Sequence, residues 1–514
     1  MPDSSMTLLG LLEALTAVAL VGGAALGLRG LGALDRRGQV GVALLFALAL
    51  ALRLGAPAGP HDINFRSWGP YSEGALEIDR GYGFTAFARL LHPFVPGWQH
   101  HDGWLFDAVA GVGAVAPLAL LAWLLTTGTA ASGAWTAALL LAVATPLVRF
   151  GHTDAQQVPA LTLGLIGLAA WAEHARQPSW FAALVSGAAL AASASGRIEC
   201  VALPACVALL ALVDRAKVPW RHPATWVAPV GSVGVALWHL HALTTDNPAW
   251  EVASYGRQGW DLFARHSLRA YGWRHLIVLD PAYTAPPVAL AMLVGLVAGA
   301  LPGRTRAALA ASVLVTSLVV PVWSPIGAAS WAIARYQLAA LPFSAALVGA
   351  AVARAAQALD AGWTRVVLVG AVVVAGGSRL KLDLTPTTQS AEYTFIRDTL
   401  PTLPAGCVVL HDVWAEDLGL TFPTHLRDMA KLPLELRPTD AWTPDFSRCV
   451  LYYRAATCSS RSFAHPDGGA DPKLCVGPGY ALTPLVEAKL PARTWVYDSY
   501  PTDTVTVGFY RVQP

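Results

Sequence analysis

The run Val42-Ala43-Leu44-Leu45-Phe46-Ala47-Leu48-Ala49-Leu50-Ala51-Leu52-Arg53-Leu54 leads, after a short break, into Gly59-Pro60-His61-Asp62-Ile63-Asn64-Phe65-Arg66. The first stretch reads as a helix crossing a lipid bilayer. The second gathers an imidazole, a carboxylate and a guanidinium where that helix ends. Charge beside a membrane is unfavourable unless it faces water, a partner or a substrate. This junction therefore sets the fold class and marks the first place to look for chemistry.

The rest of the composition agrees with a membrane protein. Soluble domains carry roughly 25% charged residues, whereas this chain of 514 residues has 13% charged and 55% hydrophobic residues. Its mean hydropathy is +0.48. A net charge of +2 gives no footprint for a nucleic-acid partner. Of the 19 tryptophans, Trp68, Trp98, Trp104, Trp180, Trp220, Trp250, Trp260 and Trp273 fall near expected membrane edges, as an interfacial aromatic belt requires.

Hydropathy gives about twelve spanning segments, near residues 7–28, 40–56, 108–126, 134–150, 158–174, 179–195, 198–213, 224–243, 287–301, 307–323, 336–353 and 365–378. The first apolar run, Leu8 to Leu28, has Asp3 and Glu13 at its front and Arg29, Arg36 and Arg37 behind it. That order is the reverse of a cleavable signal peptide and predicts an N-terminus outside. Arg176, then Arg215, Lys217 and Arg221, then Arg304 and Arg306, then Arg354 and Arg365 mark four later connections on the same side. By the positive-inside rule that side is the cytoplasm.

Three large pieces then lie outside: residues 57–107, residues 244–286, and the tail. The expected division is a transmembrane domain over 1–378 and a soluble α/β domain over 379–514. Three short β-like runs in the tail support the second: Cys407 to Leu410, Cys449 to Tyr453, and Val505 to Tyr510. Cys407, Cys449, Cys458 and Cys475 all fall there, enough for two disulfides in any of three connectivities. Cys458–Cys475 is the first expectation, because a short polar loop separates them. Cys200 and Cys206 read as small packing residues of a membrane helix.

Chemistry concentrates in the first outer loop. A carboxylate just outside a helix, such as Asp62, can take a proton from an attacking hydroxyl, and partial dehydration makes it more basic. The structural alternative is a loop aspartate capping a short surface helix. His61, Arg66, Glu77, Asp79 and Asp102 share that loop. His100-His101-Asp102 could hold a divalent metal with His61 or Asp62. Adjacent histidines point to different sides of a helix or strand, however, and no metal ligand is assigned. In the tail, His411-Asp412-Val413-Trp414 follows a strand and would suit either a sugar-facing tryptophan or a capping turn.

At this point the layout resembles the integral-membrane glycosyltransferases of the GT-C class, specifically the polyprenyl-phosphate-sugar-dependent mannosyltransferases and aminoarabinose transferases. The residues that carry the resemblance are Arg53-Leu54 followed by Pro60-His61-Asp62; Leu147-Val148-Arg149-Phe150-Gly151-His152-Thr153-Asp154 before a helix; Arg197-Ile198-Glu199 with Leu203-Pro204; and Ala334-Arg335-Tyr336 running to Pro342. The class often has a second acid beside the first. Here Ile63 and Asn64 follow Asp62, so the second carboxylate is unassigned, with Glu77, Asp79 and Asp102 as candidates.

The resemblance implies a mainly α, polytopic helix bundle with a C-terminal outer-face domain. It implies Asp62 as the base that deprotonates an acceptor hydroxyl, and a polyprenyl-phosphate-linked sugar as donor. The acceptor would be a glycan, lipid or protein, and the anomeric carbon would invert. Arg197 and Arg335 would hold the donor phosphate, since arginine is permanently charged and bidentate. Arg149, His152, Asp154 and Tyr336 would contact substrate. The expected location is the cytoplasmic membrane of a bacterial-type cell, with the chemistry on its outer side. The competing readings are a transporter or lipid flippase, motivated by the number of segments, and a catalytically inactive GT-C relative, motivated by the missing second acid. A transporter would place charge near the membrane midplane and show repeats; here charge clusters at the outer edge.

Overall fold

The computed structural model describes residues 3–59, 82–94, 104–153, 155–213, 218–246, 276–281, 283–323, 337–359, 362–411, 432–459, 477–492 and 503–514. The chain divides into two compact units. One runs from the first helix to Leu384; the other comprises Thr385–Pro514 with 57–59 and 104–106.

The first unit is entirely helical among the described residues. Its helices are α1 (Asp3–Gly32), α2 (Arg36–Gly55), α3 (Tyr82–Leu91), α4 (Trp104–Gly113), α5 (Ala116–Thr126), α6 (Ala131–Val143), α7 (Thr145–Phe150), α8 (Gln157–Arg176), α9 (Trp180–Gly196), α10 (Ala202–Val213), α11 (Val227–Asp246), α12 (Pro286–Ala298), α13 (Gly303–Trp323), α14 (Leu341–Gln357), α15 (Gly362–Gly376) and α16 (Leu380–Asp383). Each apolar segment expected from hydropathy is largely helical among the described residues. Five helical stretches among the described residues are long and apolar enough to cross a membrane on their own: Thr7–Gly32, Arg36–Gly55, Trp104–Thr126, Gln157–Arg176 and Leu338–Gln357. The chain is thus an integral, multi-pass membrane protein.

Two expected segments are broken rather than continuous. Residues 108–126 divide between α4 and α5, and 134–150 between α6 and α7, with Pro117 and Pro146 in the first turn after each break. Proline lacks the N–H that a helix interior needs and is accepted in the first turn.

Small residues let these helices approach closely. A Cβ on Gly133 of α6 would lie 2.5 Å from the carbonyl oxygen of Gly349 on α14. This is how membrane helices gain packing contact without a hydrophobic drive between them. The outward faces stay apolar: α15 buries none of its residues, with Trp363 70%, Val366 71% and Val374 74% exposed. That surface suits hydrocarbon.

The second unit is a helix on a mixed sheet. Helix α17 (Thr388–Thr399) opens with a reciprocal cap between Thr387 and Ser390. Strands β1 (Val408–His411), β2 (Glu435–Pro438), β3 (Val450–Arg454), β4 (Ala481–Pro491) and β5 (Thr504–Gln513) form one sheet in the order β2-β1-β3-β5-β4. β1 lies parallel to both β2 and β3, and the β3–β5 and β5–β4 pairs are antiparallel. One hydrophobic cluster joins Val408, Leu410, Val450, Tyr452, Tyr510 and Val512, with Trp442 and Phe446 packed on it. A second joins Leu490, Val505 and Val507 to Phe395 of α17.

The cysteine expectation is extended. Cys407 and Cys449 form a disulfide, and Cys458 is also disulfide-bonded. Its expected partner, Cys475, lies outside the described residues. Cys200 and Cys206 are buried in the helical unit.

Glu392 of α17 is buried under the sheet. It accepts hydrogen bonds from the Tyr453 hydroxyl and, at 2.8 Å, from the Ala456 N–H. Burial pushes its carboxyl above the usual range, and the two hydrogen bonds pull it only part of the way back. The folded state therefore favours the protonated acid. Its contribution is fully present below the ordinary carboxylate pKa and is lost as pH rises through the raised folded value. Glu392→Gln keeps an acceptor oxygen and cannot ionise. Wild type should lose stability relative to this variant by up to about 1.4 kcal/mol per pH unit within that window. Thermal melts of the two proteins from about pH 4 to about pH 8 check this; a constant difference would refute it.

Candidate active site

Buried polar residues of the helical unit lie at the ends of α2, α7 and α9. Arg53 lies in the last turn of α2 and is fully buried. Its Nη1 donates back to the Ala49 carbonyl at 2.8 Å, and Nε and Nη2 have no hydrogen-bond partner among the described residues. A cation is favoured at a helix C-terminus, where carbonyls point outward. Two glycines make room for it. A Cβ on Gly151 would sit 2.6 Å from Arg53 Cγ, and one on Gly113 would sit 3.2 Å from Arg53 Nε.

His152 joins three elements at this point. Nδ1 lies 2.8 Å from the carbonyl of Ala56, the C-cap of α2. Nε2 lies 3.0 Å from Asp107 Oδ1 in the first turn of α4. Arg149 of α7 is paired through Nε with Asp383 of α16 at 3.1 Å, with side-chain exposures of 6% and 0%. Arg197, the C-cap of α9, is 4% exposed, and its Nη1 donates to Gln156 Oε1, at the N-cap of α8, over 3.4 Å.

Three sequence candidates, Arg149, His152 and Arg197, are therefore built into buried positions on α7, α8 and α9 or the turns that bound them. His61, Asp62, Arg66, Glu77, Asp79, Asp102, Asp154, Arg335 and Tyr336 lie outside the described residues, as does the metal alternative at His100-His101-Asp102. Among the described residues no group of three histidine, cysteine or acidic side chains is placed to hold a metal ion.

Asp107, Gln156 and Asp383 are the partners of His152, Arg197 and Arg149 and were missed in the sequence. Asp107 alone carried a readable signal, a single acid in the first turn of an apolar helix. Arg149 pairs with Asp383 and Arg197 donates to Gln156, while two nitrogens of the buried Arg53 guanidinium have no acceptor among the described residues. Fixed guanidinium charge of this kind can accept an anion.

A small pocket lies in the same unit, lined by Leu141, Val288, Met292, Leu341 and Val348 together with the polar Tyr283, Thr284 and Ser344. Ala144 and Gly376 also line it. The first immediately precedes α7, which carries Arg149, and the second lies four residues before α16, which carries Asp383.

No protein-family model matches the chain, and no curated protein does. Solved structures do match. ArnT from Cupriavidus metallidurans, bound to undecaprenyl phosphate, aligns with a TM-score of 0.53 at 13% identity, over 92% of this chain and 98% of that one. The same ArnT in the apo state aligns with a TM-score of 0.54 at 12% identity, over 91% and 97%. A mycobacterial arabinofuranosyltransferase, AftD, aligns with a TM-score of 0.45 at 13% identity, over 79% of this chain and 32% of its own. The likeness to ArnT, sustained over nearly the whole length of both chains, shows the fold: the chain is folded as ArnT is.

Proposed function

We propose that the chain is a membrane glycosyltransferase that moves a sugar from a polyprenyl-phosphate donor to an acceptor hydroxyl. The observation that carries this reading is the set of buried guanidiniums of Arg53, Arg149 and Arg197 in the helical unit, in a chain that shares its fold with an ArnT solved with undecaprenyl phosphate. A phosphate needs fixed cations, which the helical unit supplies, and a polyprenyl chain needs apolar surface, which its outward faces supply.

In the proposed reaction Asp62, six residues beyond the α2 C-cap, takes the proton of the acceptor hydroxyl. The hydroxyl oxygen forms a bond to the anomeric carbon. The bond from that carbon to the phosphate oxygen breaks, and its electron pair leaves on the phosphate. One direct displacement inverts the centre. Arg197 and Arg335 are the proposed phosphate ligands, since their charge is present before and after the leaving group develops. The arginine-flanked connections support placing the reaction at the non-cytoplasmic face of a bacterial-type inner membrane. The acceptor class is a glycan, lipid or protein hydroxyl.

The test is sugar transfer from undecaprenyl-phosphate-linked hexoses and pentoses by wild type, Asp62→Asn and Asp62→Ala. Loss of a general base is expected to lower the rate about 10²–10⁴-fold. Wild-type rates in both variants would remove Asp62 from the mechanism. Movement of the lipid across a proteoliposome membrane with no covalent change would replace the reading with transport.

A further inference from the structure

We infer that Asp107 is a substrate-contacting residue whose carboxylate accepts hydrogen bonds from hydroxyls of the donor sugar, and that His152 is the positioning residue that aims it. The inference rests on the glycosyltransferase reading above. Trp104, Leu105 and Phe106, which precede Asp107 on α4, are 4%, 1% and 0% exposed. The Asp107 side chain is nevertheless 55% exposed, while that of His152 is 11% exposed. One carboxylate oxygen is held at 3.0 Å by His152 Nε2, and the ring is in turn fixed on the Ala56 carbonyl. An ordinary surface ion pair has two mobile members and contributes little. Here one member is buried and locked to backbone, so the acid is held in place with its second oxygen outside that bond.

Chemistry separates this group from its neighbours. Every sugar hydroxyl is a hydrogen-bond donor, and arginine has no acceptor to offer it. Of the three described partner side chains, Asp383 is buried against Arg149 and Gln156 is engaged by Arg197. Asp107 is the one exposed to incoming hydroxyls. An ionised acceptor also makes stronger hydrogen bonds than a neutral one. The cations would hold the phosphate of the donor, and Asp107 would hold its sugar.

The full-length protein in nanodiscs tests this. For wild type, Asp107→Ala, His152→Ala and the double variant, the readouts are transfer kinetics with undecaprenyl-phosphate-linked hexoses and pentoses, and the affinity for each donor relative to sugar-free undecaprenyl phosphate. Asp107→Ala is expected to raise the donor KM about 10–100-fold, with a much smaller change in kcat. Its affinity for the sugar-free lipid should stay that of wild type. His152→Ala should shift KM the same way by less, and the double variant should be no worse than Asp107→Ala.

A wild-type KM in Asp107→Ala, or equal weakening of both lipids, overturns the assignment while transfer by wild type keeps the function. A wild type that transfers nothing but prefers sugar-bearing lipid, with that preference lost in Asp107→Ala, removes the transferase and keeps the sugar contact. A wild type with neither transfer nor preference overturns both.

Discussion

Asp383→Ala is expected to destabilise the helical unit by about 3–5 kcal/mol. Arg149 and Asp383 are both buried, and the pair spans α7 and α16. Removing the carboxylate takes a buried charge partner from a guanidinium held in low dielectric, and that loss against an unchanged desolvation is what makes a broken buried pair so damaging. The intact pair contributes far less, because its attraction mainly offsets the desolvation of both ions. Replacing both by apolar residues of similar volume, as in Arg149→Met with Asp383→Leu, should therefore recover most of the loss, to within about 1 kcal/mol of wild type. Thermal melts of the purified full-length variants check this ordering. A single variant as stable as wild type, or a double variant worse than either single, would show that the pair is not coupled in this way. Comparing activity adds a second outcome. If Arg149 also meets the donor phosphate, the double variant will be stable and poorly active.

The helical unit was legible in the sequence because lipid imposes a simple rule. Backbone groups must be satisfied within the segment, so long apolar runs become helices. Each hydropathy segment is largely helical among the described residues for that reason. Breaks within segments were less visible, since Pro117 and Pro146 lie in runs that remain apolar on both sides. The sheet was legible only where burial is two-sided. β1, β3 and β5 are strongly apolar or aromatic and were expected. β2, Glu435–Pro438, is a short polar edge strand. β4 carries Pro484 at a register irregularity and is largely exposed through Leu485. Proline in a strand argues against that assignment except at edges and bulges, where β4 has both.

The site was legible in part and for a different reason. Arg149 lies in the last turn of α7, and His152 and Arg197 each follow a glycine at a helix end; such positions can be read as charge placed at a membrane edge. Their partners cannot be read this way. Asp107 is 45 residues from His152, and Gln156 is 41 from Arg197. Only packing brings them together. Arg53 was visible as a motif residue, but its burial depends on glycines at positions 113 and 151, and nothing in the local sequence announces that fit.

Removing the Cys407–Cys449 disulfide is expected to lower the stability of the C-terminal unit by about 4 kcal/mol. The bond closes a loop with a sequence separation of 42, and loop-closure entropy gives that magnitude for a loop of this length. It sits just ahead of the sheet's central pairing, since the next residues, Val408 of β1 and Val450 of β3, are register partners. It thus ties together two parallel strands whose connection passes through β2, a pairing that otherwise has to be found over a long separation. For a unit of this size the loss corresponds to a melting shift of about 10–20 °C. Cys407→Ala with Cys449→Ala should show it. A shift under about 3 °C would mean that the unfolded chain gains little freedom from the cut. Reductant added to wild type gives an independent reading, because it also opens the bond made by Cys458. If that second bond constrains a further loop, reductant should lower the melting temperature more than the double alanine variant does, and the excess should vanish when Cys458 is replaced as well.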